Sequence, residues 1–119
     1  MQNVELGRTG EQLAQNYLIR QNMRFLTKNY RWKRQEIDLI FSEGKELVFV
    51  EVKTRTHASY GAPEKSISKT KQRNLLLAAN AYIQENELDC EARFDVVSII
   101  HNRYETKIDH IKTAFIPTL

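Results

Sequence analysis

The stretch "ELVFVEVKTR", residues 46 to 55, begins as a buried β-strand and then sets an acid and a base, Glu51 and Lys53, where its apolar run should continue. Charged side chains are seldom fully buried unless they are paired or bind something. Just upstream, "EIDLIF" reads as a second strand, joined to the first through "SEGK". Glu43 and Gly44 sit at the centre of that turn, where glycine readily takes a positive φ. On a two-residue Glu43–Gly44 loop, Ser42 faces Lys45, Asp38 faces Phe49 and Glu36 faces Glu51. One face of the hairpin then carries Ile37, Leu39, Phe41, Val48, Val50 and Val52, a surface ready to take a helix. The other carries Ile40, Leu47 and Phe49 near the turn and gathers Arg34, Glu36, Asp38, Glu51 and Lys53 at its far end.

Glu51 and Lys53 project the same way about 7 Å apart along the strand, and Asp38 is diagonal to Glu51 at roughly 7 to 8 Å between backbones. Carboxyl groups from those positions can meet on one cation. Mg²⁺ takes oxygen ligands in a near-octahedral shell and keeps several waters, so two carboxylates on a rigid hairpin suit it. Such an ion polarises a phosphoryl oxygen and makes its bound water more acidic. Lys53 beside it can orient the attacking water or offset charge developing on the phosphate. The plainer alternative is an exposed hairpin face carrying ordinary ion pairs, Glu51 with Lys53 and Glu36 with Arg34. Two features weigh against it: Glu36 opposite Glu51 beside Asp38 is unfavourable unless a cation or base neutralises it, and apolar residues share the face.

The elements that position these residues follow from periodicity. From Val4 to Gln21, Leu6, Leu13, Ala14, Tyr17 and Leu18 make one helical stripe. Gly7 and Gly10 lie on or beside it, where a missing side chain permits close approach to a sheet or ligand, and Glu11 lies at its margin. Arg24 to Trp32 reads as a first strand, followed by the hairpin strands. "THASYGAPEKSIS" is a loop long enough to be functional. Leu75, Ala78, Ala79, Tyr82 and Ile83 mark a second helix from about Ser68 to Glu85, closed by "QENELD". "RFDVVSII" is a buried-type strand, "IDHIKTAFI" a last one, and "HNRYET" turns between them. The order α-β-β-β-α-β-β argues an α/β or α+β arrangement.

The 119 residues fit one domain, 1–119, with a single core. Hydrophobic residues at 41% and charged ones at 28%, with four Gly and two Pro, exclude a disordered chain. Eighteen Lys and Arg against fifteen Asp and Glu give a net charge of +3, compatible with a nucleic-acid partner, so the distribution of charge must decide. Cys90 is the single cysteine, which excludes an internal disulfide and suits a reducing compartment. No basic-then-apolar leader opens the chain, and no apolar run approaches the ~20 residues of a membrane span. The expectation is a soluble, cytoplasmic protein with no membrane partner. His57, His101 and His110 are too dispersed for a zinc site, and no Walker-type glycine loop is present.

"GRTGEQLAQNYL", "EIDLI", "LVFVEVKTR", "YGAPEKSI" and "RFDVVSI" follow one another in the order and spacing of the YraN-like bacterial proteins, which this chain resembles from Gly7 to about Phe115. Several motifs in fixed order are far more specific than a lone ExK. That family looks like a member of the restriction-endonuclease-like PD-(D/E)xK nuclease superfamily, related to archaeal Holliday-junction resolvases. The resemblance implies an α/β fold with an αβββαβ core, a mixed central sheet flanked by helices. It implies an active-site set of Glu11, Asp38, Glu51 and Lys53, the first three toward a Mg²⁺ or Mn²⁺ ion. Glu11 enters through the resemblance, whereas the hairpin itself proposes the other three. Gln35 departs from the family's "GEIDLI" pattern, which has Gly there and so bears on the strand entrance near Glu36. Several resolvase-like relatives work as dimers, so a homodimer is an assembly the resemblance allows.

Lys65, Lys69, Lys71 and Arg73 cluster near the start of the second helix, where cations oppose the helix dipole and a bound phosphate would relieve the conflict. The alternative is a solvated basic face. Arg24, Lys28, Arg31, Lys33, Arg34 and Arg55 form a second basic group, interleaved with Phe25, Tyr30 and Trp32. Tyr30 or Trp32 could stack on an unpaired base, Trp32 being core by default, and Tyr60 with Gly61 is a weaker substrate contact. Asp95 reads as structural. The sequence-level reading is a metal-dependent nuclease cleaving DNA, branched or single-stranded forms included. Its rivals are a non-catalytic nucleic-acid-binding module of the same fold and a protein-interaction domain whose charged hairpin is an ion-pair network.

Overall fold

A computed structural model of the chain describes residues 3–58 and 67–118. Its elements are α1 (Asn3–Arg20), β1 (Arg24–Trp32), β2 (Gln35–Glu43), β3 (Glu46–Arg55), α2 (Lys69–Glu85), β4 (Glu91–His101) and β5 (Thr106–Ile111). The strands form one sheet in the order β1-β2-β3-β4-β5. β3 and β4 are parallel and every other neighbouring pair is antiparallel. Parallel neighbours cannot be joined by a tight turn, so the chain crosses from β3 to β4 through α2. The result is the mixed α/β sheet flanked by two helices that the sequence leads one to expect.

Alternation along the strands fixes what each helix covers. Leu39, Phe41, Val48, Val50, Val97 and Ile99 pack with Ala14 and Leu18 of α1. Ile40, Leu47, Phe49 and Phe94 pack with Leu75, Ala78 and Ala79 of α2. Each large apolar side chain fully buried in these two layers contributes roughly 1.5–3 kcal/mol. α2 starts at an N-cap, Ser68, whose side chain accepts a 3.0 Å hydrogen bond from the Lys71 backbone N–H. Glycine matters at one point of α1: a Cβ built on Gly10 would overlap the Thr54 side chain of β3, whereas nothing lies within 4 Å of one built on Gly7. Close approach of α1 to β3 therefore depends on Gly10 and not on Gly7.

Three sequence expectations are corrected. The β2–β3 turn has Gly44 and Lys45 at its centre, with Glu43 facing Glu46 and Gly44 at φ 61°. Glycine at the first central position satisfies the positive φ there, and the register moves by two residues, which leaves each residue on its expected face. Ile37 is the exception. It packs with Ile40 under α2 and pairs with Tyr30 of β1, at the point where β2 leaves its ladder with β3, next to Asp38. β5 begins at Thr106 and ends at Ile111. Thr113 takes a positive φ of 49° and its N–H donates to Asp95, turning Phe115 onto Phe94. Gln35, where glycine was the pattern, sits in ordinary strand backbone opposite Trp32.

Candidate active site

The ladder between β2 and β3 stops at Leu39 opposite Val50, and the next pair in that register would be Asp38 with Glu51. Instead of a backbone carbonyl, the Oδ2 of Asp38 accepts the Val52 N–H at 2.8 Å. β3 remains fully paired to β4 on its other edge, out to Arg55 opposite Ile100. The strand bearing Glu51 and Lys53 is thus held rigidly from one side. From the other it receives a carboxylate. Phe49 lies under α2, so alternation puts Glu51, Lys53 and Arg55 on that same face.

Burial and like charge raise both acids. Burial pushes the Asp38 carboxyl far above the usual carboxylate range, the charges of Glu51, Glu11 and Glu36 add to this, and the Val52 N–H opposes it. Glu51 is also raised, first by burial and then by Glu11 and Glu36, while Lys71 and Lys53 pull it down. The Oε2 atom of Glu51 is buried and accepts no hydrogen bond. An orphaned oxygen of that kind costs about 1–3 kcal/mol unless a proton or a cation meets it. A pair of adjacent, partly desolvated carboxylates with a spare buried oxygen is a donor set that fits a hard divalent cation such as Mg²⁺ or Mn²⁺.

Among the described residues no three His, Cys, Asp or Glu side chains form a ready-made metal-ligand group. Glu11 is half-buried on α1 and accepts a 2.8 Å hydrogen bond from the Asn29 side chain, Asn29 itself being held at a φ of 51°. Its charge reaches both Asp38 and Glu51. The arrangement is a carboxylate pair with a third acid tied to the neighbouring strand.

Lys53 is half-buried two residues beyond Glu51. Lys71 in the first turn of α2 also acts on Glu51, so a residue expected to touch the substrate backbone stands close enough to Glu51 to favour its charged form. Glu36 was legible only as part of the hairpin's charge cluster, yet it acts on both carboxylates. Lys69 and Arg73 are exposed on α2. Arg55 is half-buried, and its Nη2 donates to Ser98 Oγ at 3.4 Å. Lys65, Tyr60 and Gly61 lie outside the described residues.

The aromatic candidates belong to the packing. Tyr30 donates to Glu85 at 3.0 Å and meets Tyr82 edge-on, and Trp32 packs against the α2 layer beneath the Lys33 ammonium. Asp95 is fully buried, and both its oxygens are occupied: Oδ1 accepts from Arg93 Nε and the Thr113 N–H, Oδ2 from Arg93 Nη2 and His110 Nε2. Arg93 in turn bridges to Glu43 and Glu46. That network leaves no lone pair facing a ligand.

Comparison with known proteins gives the chain its relatives. It is 42% identical over 111 residues to a UPF0102 protein of Christiangramia forsetii, covering 93% of each chain. It is 42% identical over 116 residues to a UPF0102 protein of Geobacter metallireducens, covering 97% of this chain and 95% of the relative. With one of Geobacter sulfurreducens it shares 44% over 115 residues, covering 95% and 90%. The profile described as "Uncharacterised protein family UPF0102" matches residues 10–99, from the glycine that seats α1 to the end of the buried part of β4. The chain belongs to the UPF0102 family, the YraN-like bacterial proteins.

Proposed function

We propose that this protein is a divalent-metal-dependent nuclease of the PD-(D/E)xK kind that hydrolyses phosphodiester bonds in DNA. The observation that carries the reading is the pairing of two desolvated carboxylates, Asp38 and Glu51, with an unpartnered buried oxygen on Glu51. Asp38 and Glu51 hold Mg²⁺ or Mn²⁺, and Glu11 supports the shell from α1. The ion, when bound, polarises a phosphoryl oxygen and acidifies water. Lys53 orients the attacking water and offsets charge developing on the phosphate. Water oxygen bonds to phosphorus as the phosphorus–ester oxygen bond breaks, and the proton passes to the departing alkoxide. Lys71 favours the charged, ligating form of Glu51 against the burial that raises its carboxyl. Lys69, Arg73 and Arg55, with Lys65 from the loop, contact the phosphate backbone near the α2 N-terminus. The protein acts in the cytoplasm, and a homodimer would match a branched substrate.

A second reading, a module of this fold that binds nucleic acid without cutting it, draws on one observation: no three-ligand group is preformed among the described residues. Cleavage separates the two. Purified protein with Mg²⁺ or Mn²⁺ is expected to cut at least one of linear, branched and single-stranded DNA, and to lose that activity with EDTA or in E51Q. If none of the three is cut with either ion, while salt-dependent binding persists in D38A, the second reading stands instead.

A further inference from the structure

A cleft of about 690 Å³ opens away from the carboxylates, outside the carboxyl ends of the parallel pair β3 and β4. It is lined by Leu6 of α1, by Thr56 and His57 just after β3, and by His101 to Tyr104 at the β4–β5 turn. The edge of an open α/β sheet beyond its parallel strand ends is where such folds take ligands, and the volume is that of a small-molecule or single-nucleotide pocket.

Tyr104 is 86% exposed, the most exposed large apolar side chain among the described residues. Its backbone is held in place. The Asn102 side chain donates to the Thr56 carbonyl at 2.8 Å and accepts the backbone N–H groups of Tyr104 and Glu105 at 2.8 and 3.1 Å. His101 Nδ1 lies 2.7 Å from Thr106 Oγ1 across the same turn. The turn therefore holds the backbone that presents an uncovered aromatic ring at the lip of the cleft, with the Arg103 guanidinium 5.7 Å from the ring centroid. An exposed ring bordered by a cation and two imidazoles matches the stacked base and adjacent phosphate of an unpaired nucleotide.

We propose that this cleft holds one unpaired nucleotide of single-stranded DNA, its base stacked on Tyr104 and its phosphate met by Arg103, His57 and His101. Thr56 follows Lys53 by three residues, about 10 Å along β3 and its exit, so the carboxylates and the cleft lie within the span of one nucleic-acid strand. The inference rests on the nuclease reading for the identity of its ligand, but its test does not depend on cleavage.

The experiment is fluorescence anisotropy of a labelled oligodeoxythymidylate with the full chain in EDTA, so that no strand is cut. Y104A is expected to weaken binding on the order of tenfold, Y104W to keep it, and neither to change affinity for a blunt duplex of the same length. Tyr104 makes little packing contact, so unchanged melting temperatures accompany these effects. The proposal is overturned if Y104A binds the single strand as tightly as wild type, if it loses duplex and single-strand affinity alike, or if wild type does not bind the single strand. Tyr104-dependent binding without any metal-dependent cleavage sinks the nuclease reading and leaves the cleft. Cleavage with Tyr104-independent binding does the reverse.

Discussion

The Oδ2 of Asp38 takes the Val52 N–H at 2.8 Å, in the place where a backbone carbonyl of β2 would continue the sheet. One side chain thus ends a ladder and satisfies the N–H that the ending exposes. It also draws an acid from β2 against the strand that carries Glu51 and Lys53. The cost is two neighbouring carboxylates in a poorly solvated spot. A fold tolerates such a cost where a ligand relieves it.

Replacing the charge without the hydrogen bond isolates that cost. In D38N the amide oxygen can still accept from Val52, while the repulsion with Glu51 is gone. The metal-free variant is expected to melt several degrees above wild type, about 1–2 kcal/mol, and to show no further rise on adding Mn²⁺. Calorimetry with and without the ion checks both parts.

The same acids set a pH dependence. Their folded values are raised, so between the unfolded value and the folded one the native state retains protons that the unfolded chain has released. Metal-free stability therefore falls as pH rises through that window, by up to about 1.4 kcal/mol per pH unit for each group. On the proposed metal site, saturating Mn²⁺ held by the deprotonated pair should flatten or reverse the slope. Urea titrations between acid and neutral pH, with wild type and D38N compared, read it directly.

Two glycines of α1 should behave oppositely. G10A forces a methyl group into Thr54 and is expected to cost roughly 1–3 kcal/mol and, on the proposed nuclease reading, to reduce cleavage by shifting α1 and its Glu11. G7A meets nothing and should be neutral or stabilising by up to about 1 kcal/mol through helix propensity. Thermal unfolding of the pair is the check.

Asp95 marks stability, not chemistry. Burial would raise its carboxyl, but the hydrogen bonds from His110, Arg93 and the Thr113 N–H outweigh it and hold the group below the usual range. Its contribution is accordingly present above the unfolded value and lost as pH falls through the folded one. D95A leaves Arg93 buried beside a missing partner and is expected to cost about 3–5 kcal/mol, measured as a lowered urea midpoint.

The element order, the two helix stripes and the shared face of Glu51 and Lys53 were legible because each rests on periodicity within a short window. The hairpin register was not. Glu43–Gly44 and Gly44–Lys45 are equally plausible loops, and a two-residue register shift leaves every residue on its face, so the pattern carried no signal to choose. Ile37 and the true end of β5 escaped for another reason: both are decided by side chains reaching across the sheet, Asp38 to Val52 and Asp95 to Thr113. Lys71 was visible only as one of four basic residues, and its proximity to Glu51 depends on how α2 docks.

Crystals of the full chain soaked in Mn²⁺, with anomalous difference density calculated at the manganese edge, test the central claim most directly. The account predicts a peak between the carboxylates of Asp38 and Glu51, touching Glu51 Oε2, and none there in D38N. Well-ordered carboxylates with no peak between them, or a peak held only by other residues, would contradict it.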